Sequence, residues 1–132
     1  MMDTRHHSWV EDQTDIKTIF VVEDDEDMGT FLVLALREES PYQALLVTDG
    51  FQALKMVRDL KPILFLLDYH LPGMDGIALY DHLHAITDLA DVPTLIISTT
   101  LPTRALQERH LTGLVKPFGV DQLLHTINKL LA

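Results

Sequence analysis

No cysteine occurs anywhere in the 132 residues, which excludes a disulfide framework, thiol chemistry and any metal site built on thiolates. Positive charge is scarce as well: 10 Lys and Arg stand against 20 Asp and Glu, for a net charge of −10. Nucleic acid is bound chiefly by lysines and arginines that displace its counterions, so this chain is repelled by it, and by an anionic membrane surface for the same reason. Long apolar runs are also missing. Ile63 to Leu67, like every other apolar run in the sequence, is far too short to span a bilayer. Met1 to Lys17 carries Asp3, Arg5, Glu11, Asp12 and Asp15 with no apolar stretch that would serve as a secretion signal. The expectation from these absences is a soluble cytoplasmic protein.

What is present suits a single domain. Hydrophobic residues make up 47% and charged residues 23%, enough apolar surface for a real core at this length. Residues 1–16 are polar and aperiodic and read as a flexible tail, in which Trp9, Val10 and the pair His6-His7 carry no pattern. Residues 17–132 are regular. Thr18 to Val22, Ala44 to Val47, Ile63 to Leu67, Thr94 to Ser98 and Leu114-Val115 read as five short strands, apolar on both faces as buried parallel strands are. Between them, Met28, Phe31, Leu32, Ala35 and Leu36 fall at helical spacing after Asp25 or Glu26 and before Ser40-Pro41. Ala53, Leu54, Val57 and Leu60 follow the cap Asp49; Leu79, Leu83 and Ile86 follow the loop Leu71 to Gly76. Leu101 to His110 reads as a short, weak helix, and Val120, Leu123, Leu124, Ile127, Leu130 and Leu131 mark a final amphipathic one.

Strands alternating with helices through short loops specify a doubly wound α/β fold, since each crossover is right-handed. The expectation is flavodoxin-like: five parallel strands in the order 2-1-3-4-5 with five helices, the fourth short or irregular. In such sheets the site lies beyond the carboxyl ends of the strands, where the order reverses. Glu23 and Asp24 end the first strand and Asp68 ends the third, its neighbour. Three converging carboxylates repel one another, and a hard cation such as Mg²⁺ relieves them. Ser98 and Lys116 end the fourth and fifth strands. An aspartate that can act as nucleophile, beside positive groups that neutralise transferring oxygens, is a constellation for phosphoryl transfer.

Phe20 to Glu26, Asp68 with Leu71-Pro72-Gly73-Met74-Asp75-Gly76, Pro93 to Ser98, and Lys116-Pro117-Phe118 occur in the order of the receiver-domain motifs of response regulators. Over residues 17–132 the chain resembles that family of two-component signalling proteins. The resemblance implies that Asp68 accepts a phosphoryl group from a phosphohistidine on a sensor histidine kinase or a histidine phosphotransfer protein. It implies further that Asp24 binds Mg²⁺ directly, Glu23 mainly through water, and Asp68 and the backbone carbonyl of His70 complete the set. Lys116 would pair with the phosphoryl oxygens, Ser98 would turn its hydroxyl toward them, and the Lys116-Pro117 bond would be cis. The chain would then be a single-domain response regulator, signalling through a downstream protein that the sequence does not identify.

Three positions depart from the family pattern. The stretch between Ser98 and Lys116 is short. Gly113 stands where receivers commonly carry a Tyr or Phe that turns inward, and Thr99 replaces a small residue beside the switch hydroxyl. Gly113 and the short fourth helix motivate an alternative, a pseudo-receiver that keeps the fold as a non-switching interaction module. A hydrolase using Asp68 is disfavoured, since His70 stands where a second acid-base aspartate would be needed. His82 and His84, two apart, fall on different faces of a helix and make no metal pair. His110 and His125 have no sequence partner, and Met28, Met56 and Met74 read as packing.

Overall fold

The computed structural model describes residues 17–132; the segment expected to be a flexible tail, with His6, His7, Trp9 and Val10, lies outside the described residues. Five strands form, β1 (Thr18–Val22), β2 (Gln43–Val47), β3 (Leu64–Asp68), β4 (Thr94–Ser98) and β5 (Thr112–Val115). All pair in parallel, in the order β2-β1-β3-β4-β5. That is the flavodoxin-like sheet the alternation predicts. Asp68 ends β3 as expected, the strand running from Leu64 rather than Ile63, and β5 starts two residues earlier than its apolar pair, at Thr112.

Five helices cross over the sheet: α1 (Glu26–Glu39), α2 (Gly50–Met56), α3 (Gly76–His84), α4 (Thr103–Arg109) and α5 (Val120–Leu131). A 3₁₀ turn extends α2 through Val57–Asp59, and another at Thr87–Leu89 follows α3. The first three helices start alike. Asp25, Asp49 and Asp75 each accept a hydrogen bond at 2.8 Å from the amide three residues on, satisfying a donor the first helical turn leaves open. Neither Pro102 before α4 nor Gly119 before α5 makes a side-chain cap. The fourth helix is short, as expected, but regular. It ends at His110, whose left-handed φ of 56° closes the turn.

Strand residues alternate between the two faces because the side-chain period is two. Phe20, Val22, Phe65, Leu67 and Ile96 face α2, α3 and α4, where Ala53, Val57, Leu79, Leu83 and Leu106 cover them. Ile19, Val21, Leu64, Leu66, Leu95 and Ile97 face α1 and α5, under Leu32, Ala35, Leu36, Leu123 and Ile127. Each such buried side chain contributes roughly 1.5–3 kcal/mol, so the sheet is clamped from both sides. Phe20 and Phe65 meet edge to face at 5.9 Å, the arrangement ring quadrupoles favour. Two packing expectations fail. Met56, the last residue of α2, is 42% exposed. Ile86 lies past the end of α3 at His84 and is 37% exposed, because the helix stops before its third apolar position can turn in.

Candidate functional site

Parallel strands all end on one side of the sheet, and β1, β3, β4 and β5 bring their last residues together there. Glu23 follows β1, its backbone fixed to the sheet by its amide donating to the Val47 carbonyl at 3.0 Å. Its side chain is wholly buried, and Oε2 accepts from the Asp25 amide at 3.1 Å. Asp24, the next residue, is exposed. Asp68 closes β3, only 3% exposed. Its Oδ1 accepts from the His70 amide at 3.3 Å, and its Oδ2 lies 3.3 Å from Lys116 Nζ.

Lys116 is aimed into this group. Its amide donates to the Ser98 carbonyl at 2.8 Å, extending the β4–β5 ladder one residue, and the Lys116-Pro117 peptide is cis. Nζ donates to Glu23 Oε1 at 3.0 Å, so one ammonium beyond β5 bridges carboxylates at the ends of β1 and β3. Ligand oxygens of Glu23, Asp24 and Asp68 all lie within 4.8 Å of one another. The four carboxylate and ammonium positions named from the sequence therefore converge.

Charge in this pocket is unbalanced, three carboxylates against one ammonium. Burial is the main reason the Glu23 carboxyl is pushed up to about 7, and its contact with Asp68 adds to it; the Asp25 amide and Lys116 pull the other way without prevailing. Burial alone would lower Lys116, but its hydrogen bond to Glu23 and the charges of Glu23 and Asp68 outweigh that and hold it above the ordinary lysine range. A buried surplus of hard oxygen donors fits a small divalent cation, which takes such ligands and supplies the missing positive charge.

Ser98 is fully buried at the end of β4, one residue beyond the partner of Asp68 in the sheet. Its hydroxyl is turned away from the carboxylates. Oγ donates to the Thr100 carbonyl at 2.8 Å and accepts from the Thr100 amide at 3.2 Å. Thr99 is exposed. His70 is exposed too, its ring edge-on to Tyr69 at 4.9 Å. His82, His84, His110 and His125 are all exposed; His84 stacks on Tyr80 at 5.1 Å.

Two contributors were not legible as such. Gly76 opens α3 with its amide on the Tyr69 carbonyl at 2.8 Å, and a Cβ there would collide with the Asp68 carbonyl oxygen and lie 3.0 Å from Tyr69 Cα. Only glycine lets α3 press against the end of β3. Thr100 holds Ser98 through backbone groups, which side-chain identity does not reveal.

The family model described as the response regulator receiver domain matches residues 19–128. The DNA-binding response regulator MtrA of Mycolicibacterium paratuberculosis is 48% identical over 59 residues, 45% of this chain and 26% of that protein. The transcriptional regulatory protein YrkP of Bacillus subtilis is 35% identical over 109 residues, 80% of this chain and 45% of that protein. The chain thus spans less than half the length of either relative. Among solved structures, the receiver domain of the sensor histidine kinase PA1611 of Pseudomonas aeruginosa, with a magnesium ion in its active-site cleft, superposes with a TM-score of 0.79 at 26% identity, covering 88% of this chain and 98% of that one.

Proposed function

Because the chain belongs to the response regulator receiver family, we propose that it is a phosphorylation switch whose acceptor is Asp68. The observation that carries this reading is the placement of an almost buried Asp68 with Lys116 Nζ at 3.3 Å and with Glu23 and Asp24 within ligand distance. A carboxylate oxygen of Asp68 attacks the phosphorus of a phosphohistidine on a sensor histidine kinase or histidine phosphotransfer protein. The new O–P bond forms as the P–N bond breaks, and the imidazole leaves with the electron pair and takes up a proton. Lys116 pairs with the transferring oxygens, releasing part of its hold on Asp68 Oδ2. Ser98 turns its hydroxyl toward the same group.

Glu23, Asp24, Asp68 and the His70 carbonyl are the groups that would hold Mg²⁺. Such an ion, when bound, neutralises charge developing on the phosphoryl oxygens. The phosphorylated face would then be read by a protein partner. The nearly two negative charges added fall into a pocket already short of positive charge, which is why a rearrangement follows.

The test is the intact mass after incubation with Mg²⁺ and acetyl phosphate. A gain of one phosphoryl group in the native protein, absent in Asp68→Asn, is the expected result. Native protein that gains nothing would favour the pseudo-receiver, a constitutive interaction module, and would overturn the switch.

A further inference from the structure

At the end of the sheet opposite the carboxylates, the segments that lead into β3 and β4 leave a groove. Its floor is apolar: Val57 and Leu60 from the turn that extends α2, Ile86 and Leu89 from the turn after α3, around a cavity of about 350 Å³. Val57 and Leu89 are buried, but Ile86 is 37% exposed, an apolar side chain left partly in water. Arg58 and Lys61 stand on the rim with Asp59 and Asp88. In a chain with 10 basic and 20 acidic residues, a rim with as many bases as acids is less negative than the molecule as a whole.

The chain enters its fold beside this groove. The carbonyl of Thr18, the first residue of β1, accepts from the Ile63 amide at 2.9 Å, and Ile63 follows Lys61 of the rim by two residues. Residues 1–16 therefore join the fold within roughly 15 Å of the rim. That segment holds the one tryptophan of the sequence, Trp9, with Val10 after it and Glu11-Asp12 next. Trp9 precedes Lys17 by eight residues, a length that spans up to about 26 Å when extended, more than the reach required. An indole and a valine suit an apolar floor, and two carboxylates directly after them suit Arg58 and Lys61. We infer that Trp9 and Val10 of the N-terminal segment dock in this groove, with Glu11 and Asp12 against Arg58 and Lys61. The segment then ties the turn after α2 to the turn after α3 and covers Ile86. This docking does not depend on the phosphoacceptor reading, since the groove lies at the opposite end of β3 and β4 from Asp68 and Ser98.

Because Trp9 is the sole tryptophan, its fluorescence reports the docking in the full chain. Blue-shifted emission, and acrylamide quenching reduced about twofold or more relative to the protein in guanidinium, are expected of a buried indole. Ile86→Asp should return both to their unfolded values while circular dichroism stays native, since that side chain is already partly outside the core. Arg58→Glu with Lys61→Glu, at two exposed positions, should reverse most of the shift. Leu34→Asp, in the other apolar groove, between α1 and β2, should leave both readings unchanged. Native emission equal to that in guanidinium would overturn the inference, and so would a shift that Ile86→Asp leaves intact or that Leu34→Asp abolishes. A shift that grows with protein concentration would put a second copy's segment in the groove and overturn docking within one chain.

Discussion

Replacing Glu23 by Gln should stabilise the metal-free protein at alkaline pH, although it removes one partner of a buried ion pair. Glu23 is pushed up from 4.5 to about 7, so the folded protein holds this proton through a pH range where the unfolded chain has lost it. Its contribution to stability is present in full below pH 4.5 and is lost as pH rises through 7. The difference of about 2.5 pH units, at 1.36 kcal/mol each, sets a cost on the order of 3 kcal/mol near pH 8 and below about 1 kcal/mol near pH 5. The side chain is fully buried, so solvent screening does not reduce this much. For a domain of this size the cost amounts to roughly ten degrees in Tm. Thermal melts followed by circular dichroism, in EDTA, should show Glu23→Gln melting above the native protein near pH 8 and nearly level with it near pH 5. Adding Mg²⁺ near pH 8 should raise the native protein more than the variant, because the cation binds only the folded cluster. If the variant melts below the native protein in EDTA at alkaline pH, the lysine bridge outweighs burial and the reasoning fails.

Asp24→Asn, by removing an exposed ligand oxygen, should blunt the rise in Tm with Mg²⁺ while moving the metal-free Tm by no more than a few degrees; an unchanged metal response would place the cation elsewhere. Gly76→Ala should cost several kcal/mol in urea denaturation, since its methyl meets backbone at Asp68 and Tyr69 rather than a side chain that can move. Phe65→Ala, in a core position 1% exposed, should cost about 3–5 kcal/mol in the same measurement. The Arg109–Asp81 bridge, with both nitrogens at 2.8 Å, joins α4 to α3 but is half exposed at Asp81. A double-mutant cycle should give it under about 1 kcal/mol. The guanidinium holds Asp81 below its ordinary value, so that contribution is present above pH 3.8 and lost as pH falls through the lower, folded-state value.

Much of this was legible in the chain because strands buried on both faces announce themselves. Ile63 to Leu67 and Thr94 to Ser98 could hardly be anything else, and once the strand order follows, Glu23, Asp24, Asp68, Ser98 and Lys116 must share one end of the sheet. β5 was underestimated because Thr112 and Gly113 carry no apolar signal, although their backbone completes the ladder with Leu95 and Ile96. Ile86 had the right period but lay beyond the last turn of its helix. The packing of Leu101 and Leu106 against Gly113 is hidden in the sequence, since a missing side chain gives no hint of which neighbours will move in. Close approach at Gly76 and the Thr100 tie are matters of backbone geometry, and residue identity is silent about them.

The aspartate caps have an effect beyond ending three helices neatly. Asp25, Asp49 and Asp75 all stand at the strand-end face, above β1, β2 and β3, while the starts of α4 and α5 have no side-chain cap and hold between them a single acid, Asp121 in the first turn of α5. That end of the molecule is therefore electrically lopsided, more negative over the half that carries the three caps than over the other. A visiting protein is turned before it touches, cationic flank toward the three caps, and added salt should slow its arrival more than it shortens its stay.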